Sequence, residues 1–199
     1  MSPKWRGRSF ALVALVSAAL TSATACKEAE PERSANPADT LFADFAKRVD
    51  SYMTVREQLT DSIGDLDPTR SQAEIATRAT ALANAIMAAR SQAKQGDIFS
   101  PEFSAFVAAL IKQEYSRRPV PVIETRDDQQ EELPNFEPAV NQLYPTTYPL
   151  ATFPPALLPL LPPLPEEVEY RIVRDNLVLR DVEANLILDY VPRAVPWQG

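Results

Sequence analysis

Asp181, Glu183, Asn185 and Asp189 crowd into nine residues near the carboxyl end, where their types and spacing could do chemistry. Paired carboxyl groups can run glycoside hydrolysis when their environments split their proton affinities and they stand roughly 5 to 10 Å apart across a cleft. Asp181, Glu183 and Asp189 qualify through their placement at predicted strand ends. The stretch "DVEAN", Asp181 to Asn185, also has the alternate oxygen spacing that opens a calcium loop. It has neither the turn glycine nor the later bidentate glutamate of such a loop, and in a strand connection its residues alternate faces and can simply cap the turn. "DSIGDLD" at 61–67 is weaker still and reads as turn and cap chemistry.

Other chemistries lack parts. The chain has no histidine, which removes a Ser-His-Asp or Cys-His mechanism within the subunit. Its single cysteine, Cys26, cannot supply the usual zinc or iron-sulfur ligand sets. Lys47, Lys94 and Lys112 fall on predicted helices with no "SxxK" or "GxSxG" motif beside them. Gly7, Gly64, Gly96 and Gly199 are too dispersed for a phosphate-cradling loop. We therefore assign no catalytic, metal-binding or cofactor-binding residue and expect no cofactor.

Cys26 has a more specific context. Lys4, Arg6 and Arg8 precede an uncharged, largely apolar stretch from Ser9 to Ala25, the charge pattern of an export signal. The stretch is short for a membrane span, which needs about 20 apolar residues. It ends "ATAC", which resembles the lipobox of bacterial lipoproteins, with Ala23 where leucine is usual in that family. The resemblance implies that Cys26 is acylated on sulfur and becomes the new N-terminus. Several acyl chains, at about 0.8 kcal/mol per buried methylene, then tie the protein stably to a bilayer. With Lys27 after the cysteine, it also implies the outer membrane, facing the periplasm. Ordinary cleavage after Ala25 would instead release a soluble chain with a free N-terminal thiol.

Loss of residues 1–25 takes away three basic residues and no acidic one, moving the formal charge from −7 to −10. So acidic a chain repels polyphosphates, and no basic stripe with interleaved aromatics is present, so nucleic acid is not expected as a partner. The expected partners are the membrane, through the lipid anchor, and an envelope protein.

The elements that must position these residues follow from local patterns. Residues 26–36 are expected to form a tether, lipidated as the resemblance implies, polar and without periodicity from 27 onward. Asn36 as cap, Pro37 at the first helical position and Leu41, Phe42, Phe45, Val49, Tyr52 and Met53 at helical spacing predict a helix over 37–60. A capping box at Ser71 and Glu74 starts a second, alanine-rich helix with Ile75, Leu82 and Ile86 on one face, running to Gln95 and ended by Gly96. Ser100 and Pro101 start a third, with Phe103, Phe106, Val107, Leu110 and Ile111 as its apolar stripe.

Residues 117–165 are a proline-rich connection that opens with a charged loop holding Asp127, Asp128, Glu131 and Glu132. Its leucines, with Tyr144, Tyr148 and Phe153 each before a proline, make it costly in water. It is expected to lie across the helices as irregular packing, with short helical turns at Pro138 and Pro154. Left exposed, it would be a polyproline ligand for a partner protein.

Period-two alternation over 167–191 predicts a three-stranded antiparallel meander. Tyr170, Ile172, Leu177, Leu179, Leu186, Leu188 and Tyr190 share one face, with Glu169, Arg171, Arg180 and Asp189 opposite. Asp175 and Asn176 in "RDN" are expected to take the positive φ of its first turn.

The fold class is thus α+β: an antiparallel helical hairpin with a third helix, a proline-rich irregular segment and the carboxyl-terminal meander. The expected divisions are a signal peptide (1–25), tether (26–36), helical part (37–116), connection (117–165), a meander (166–191) in the same domain, and a tail (192–199). "PPLPEEVEYRIVRDNLVLRDVEANLILDYV" resembles segments of uncharacterised exported bacterial proteins, which implies a recurring fold and carries no activity. The function expected is a non-catalytic interaction or envelope-assembly module on a periplasm-facing lipoprotein. The alternative is a small secreted hydrolase using the carboxylates.

Overall fold

Asn36 opens the first helix as its type suggests: its side-chain oxygen accepts a hydrogen bond from Ala38 N at 3.2 Å, ahead of Pro37. In the computed structural model, which describes residues 36–64, 71–117, 136–148 and 153–196, α1 spans Pro37–Ile63. Gly64 ends it at φ +84°, a conformation that a side chain would strain. The signal stretch, Cys26 and the tether up to residue 35, the turn at 65–70, and the acidic loop within 118–135 lie outside the described residues.

Ser71 caps α2 (Gln72–Ala89), accepting from Glu74 N at 3.3 Å. This helix stops six residues before Gln95, the end expected from its alanines. Its last turn closes through Arg90 N to Ile86 O at 2.9 Å. Beyond Arg90 the amides of Gly96, Ile98 and Phe99 turn to the Asp189 carboxylate, a competing acceptor invisible to local helix propensity. Ser100 caps α3 (Pro101–Arg117) through Phe103 N at 3.2 Å.

Strands β1 (Val168–Val173), β2 (Asn176–Asp181) and β3 (Leu186–Val191) form one antiparallel sheet in the order β1-β2-β3. The first hairpin closes at Val173 opposite Asn176, leaving Arg174 and Asp175 as its loop. The positive φ of 56° therefore falls on Arg174 and not on Asp175 or Asn176, because pairing register sets which residue must turn. The second connection, residues 182–185, turns at Asn185 with φ +51°.

The β2–β3 register shifts between Leu179, opposite Asp189, and Arg180, opposite Ile187, so Leu188 is an extra residue on β3. Such a bulge changes the phase of side-chain alternation. Leu188 joins the core against the helices, and Asp189 reaches the loop before α3 on that same side. Tyr190 packs on the other side. The expected faces of Asp189 and Tyr190 are thus exchanged, because uninterrupted alternation was assumed through the bulge.

The molecule is α+β, and its sheet is covered on both faces. On one, Tyr170, Leu177, Leu179, Leu186 and Leu188 share a core with α1, α2 and α3. At its centre the Phe45 ring stacks on Phe103 and Phe99, with centroids 4.5 and 5.4 Å away and planes inclined by 11°. On the other, Val173, Val178 and Ile187 pack under Phe136, Tyr144 and Tyr148. The connection was expected across the helices. Its later part does send Leu157 and Leu161 into the helical core, around a 3₁₀ turn at Leu158–Leu160. Residues 136–148 instead cover the sheet's second face, where three apolar side chains alternate with the charged ones and need shelter from water. All six residues of β2 are buried.

Phe45→Ala should destabilise the protein by about 3–5 kcal/mol through lost burial and the cavity left behind. A lower urea midpoint with unchanged slope would register that loss.

Candidate functional site

The carboxyl-terminal end of β2 points Asp181 toward α1, where it is completely buried. An unpaired carboxylate there would be prohibitively costly. Tyr52 and Arg56, one helical turn apart on α1, meet it. Tyr52 Oη and Arg56 Nε both donate to Asp181 Oδ2 at 2.7 Å, and Ala184 N donates to Oδ1 at 2.7 Å. The turn after β2 brings Glu183 to the same place. Its Oε2 accepts from Arg56 Nη2 and its Oε1 from Arg78 Nε of α2, each at 2.8 Å. Arg78 Nη1 also donates to Gly64 O, at the end of α1. One ionic junction therefore joins α1, α2 and the β2–β3 turn.

Burial pushes the Tyr52 hydroxyl well above its usual range, and the Asp181 charge adds to the rise. Burial alone would lower the Arg56 proton affinity. The hydrogen bond and charge of Asp181 outweigh it, so the guanidinium titrates above its ordinary value. Neither group is poised to exchange a proton near neutrality. Arg90, whose proton affinity burial lowers, stacks 5.3 Å over the Tyr52 ring and donates to Leu188 O at 3.1 Å.

The structure brings Asp181 and Glu183 together, but as anions neutralised by Arg56 and Arg78. Their oxygens are directed to these guanidinium groups, to Tyr52 and to a backbone amide, in the place a calcium ion would need. Asn185, the third oxygen of the calcium spacing, turns to the opposite side. There its Oδ1 accepts from Arg180 Nε at 2.9 Å, and its Nδ2 donates to Tyr144 O at 2.7 Å. Among the described residues no three Asp, Glu, His or Cys side chains are arranged to hold a metal ion.

Asp189 serves elsewhere. It accepts from the backbone amides of Ile98 and Phe99 at 2.8 Å, Gly96 at 3.0 Å and its neighbour Tyr190 at 2.8 Å. Burial raises its carboxyl above the usual range, and these amides pull it back. It pins the loop between α2 and α3 to β3. A cavity of about 370 Å³ beside that loop is lined by Arg48, Ser51, Tyr52, Arg90 and Asp97, and by none of the three expected carboxylates. Lys47, Lys94 and Lys112 lie outside the ionic junction.

Sequence reasoning missed Arg56, Arg78 and Arg90. Arg56 had a signal, since Val49, Tyr52 and Arg56 continue one helical face and a charged residue interrupts its apolar run. On the sheet's other face, Glu169 accepts from Arg171 Nη2 at 2.5 Å and from Arg180 Nη1. Burial raises the Glu169 carboxyl, but the bonds and charges of Arg171 and Arg180 prevail and hold it below its usual value.

Comparisons with protein-family models, curated proteins and solved structures give no match to this chain.

Asp181→Ala should cost about 3 kcal/mol by leaving the buried Arg56 Nε and Tyr52 Oη without their shared acceptor, Arg56 keeping only Glu183. Glu183→Gln should cost less, since that side chain is 35% exposed. Chemical denaturation of both variants gives the comparison. For Glu169 the folded proton affinity lies below the unfolded one, so its stabilisation is present above the unfolded value of about 4.3 and is lost as pH falls through the folded value. Unfolding free energy measured against pH should lose part of its acid slope in Glu169→Gln.

Proposed function

We propose that this chain is a periplasm-facing lipoprotein whose α+β body is a non-catalytic interaction or envelope-assembly module. The observation that carries the reading is Cys26 placed after "ATA", at the end of an apolar stretch that follows Lys4, Arg6 and Arg8. A lone cysteine has no disulfide role within the chain, whereas acylation gives it a use at that position. Among the described residues no helix is long and apolar enough to cross a membrane, and the proposed attachment needs none.

The non-catalytic part rests on the ionic junction. A general acid and base need proton affinities split around the working pH and access to a substrate. Asp181 is instead fully buried between Tyr52 and Arg56, and Glu183 is shared by two arginines. Asp189, fully buried too, is committed to backbone amides. These commitments weigh against hydrolysis by the three carboxylates and favour a role in holding the body together.

Mass spectrometry of protein from native membranes should find a mature chain beginning at Cys26 with an acyl-bearing modification. Cys26→Ser should lack it. A Cys26→Ser chain that stays with the envelope, unprocessed and unmodified, would sink the placement. Turnover of glycan or ester substrates that Asp181→Ala, Glu183→Ala or Asp189→Ala abolishes, in variants shown to be folded, would overturn the non-catalytic role.

A further inference from the structure

The two edges of the sheet are treated differently. Beside β3, Asn141 N donates to Ile187 O, Ile187 N to Gln142 O and Tyr144 N to Asn185 O, so residues 141–144 cover that edge. Beside β1, no described strand pairs, and an open groove of about 750 Å³ lies between Val168–Arg171 and the segment of Leu158, Pro162, Pro163 and Leu164. Leu158 is half exposed at its rim. An open strand edge is a template for pairing with another chain.

The register fixes what this edge offers. Val173 and Asn176 flank a two-residue loop, and Glu167 O accepts from Val182 N, so the odd-numbered residues of β1 turn their backbone groups toward β2. Val168, Tyr170 and Ile172 turn theirs outward. Val168 N is already used by Pro165 O. The charges on β1 are symmetric about its middle: Glu169 and Arg171 flank Tyr170 on the face away from the helices.

We propose that β1 is a docking strand for a second copy of this chain, pairing antiparallel with its counterpart about a two-fold axis at Tyr170. In that register Tyr170 exchanges backbone hydrogen bonds with the second copy's Tyr170, and each Ile172 N meets the opposing Val168 O. The committed Val168 N is not required. Glu169 falls opposite Arg171 of the other copy twice, in non-hydrogen-bonded positions where side chains come closest, with Cα atoms about 4.5 Å apart. The same register carries each copy's Arg174–Asp175 turn toward the other's groove. The result is one six-stranded sheet with a self-complementary interface. This charge symmetry favours a second copy over an unrelated extended peptide, whose side chains nothing on β1 selects. The inference does not depend on acylation.

Sedimentation equilibrium of the full chain in density-matched detergent, over a wide concentration range, tests it. A concentration-dependent dimer is expected. Arg171→Glu, which sets Glu169 opposite an acid on both sides, should raise its dissociation constant by about tenfold or more. Ile172→Pro removes an outward N–H that the β1–β2 ladder does not use, and should abolish dimerisation while circular dichroism shows a folded protein. A chain that stays monomeric throughout overturns the proposal, as does a dimer that folded Ile172→Pro leaves intact. Protection of the Tyr170 and Ile172 amides from hydrogen exchange in a monomer would mean that the chain covers its own edge, and would also overturn it.

Discussion

A carboxylate with no exposure to water, set against a layer of packed helices, is stable only when its neighbours return the solvation it has lost. Asp181 is in that position, and its partners define the architecture. Tyr52 and Arg56 fix the rotation of α1 over the sheet, since only one face of that helix presents both side chains to Asp181 Oδ2. Glu183 extends the constraint to α2 through Arg78. The apolar stacking of Phe45, Phe99 and Phe103 is less directional than these charged hydrogen bonds. The ionic junction adds directional contacts between α1, α2 and the β2–β3 turn to the hydrophobic packing.

The bulge at Leu188 makes a second constraint of the same kind. By shifting the phase of β3, it lets Asp189 face the helical side and gather the amides of Gly96, Ile98 and Phe99. Those amides would otherwise need other partners in the loop that links α2 to α3. On the opposite face, Arg180 is held between Glu169 and Asn185 and lies 5.4 Å over the Tyr144 ring. Burial pushes the Tyr144 hydroxyl up to about 12. The proline-containing segment there is fixed by aromatic packing and by its edge bonds to β3. That arrangement suits a sheet cover better than an exposed polyproline ligand.

These features give the proposed role a physical form. The arginines and carboxylates of the junction are committed to joining elements, and among the described residues no strand pairs with the outer edge of β1. The proposed anchor would confine copies to a membrane plane and raise their effective concentration. The proposed strand pairing would use that confinement.

The α+β class, the three helix starts and the three strands were legible in the sequence because caps, apolar periodicity and turn residues act over a few neighbours. Asn36, Ser71 and Ser100 cap where their types suggest. The phase of β3 was not legible, because a bulge adds one residue without any marker that Leu188 and Asp189 provide. The loop that follows α2 is held by Asp189, about ninety positions further on, and the second face of the sheet is covered by residues 136–148. Of the site, the sequence singles out Asp181 and Glu183 as candidate carboxylates but not the partners that neutralise them. Only tertiary structure supplied Arg56 and Arg78, since charge neutralisation depends on distance in space and burial, neither of which local spacing encodes.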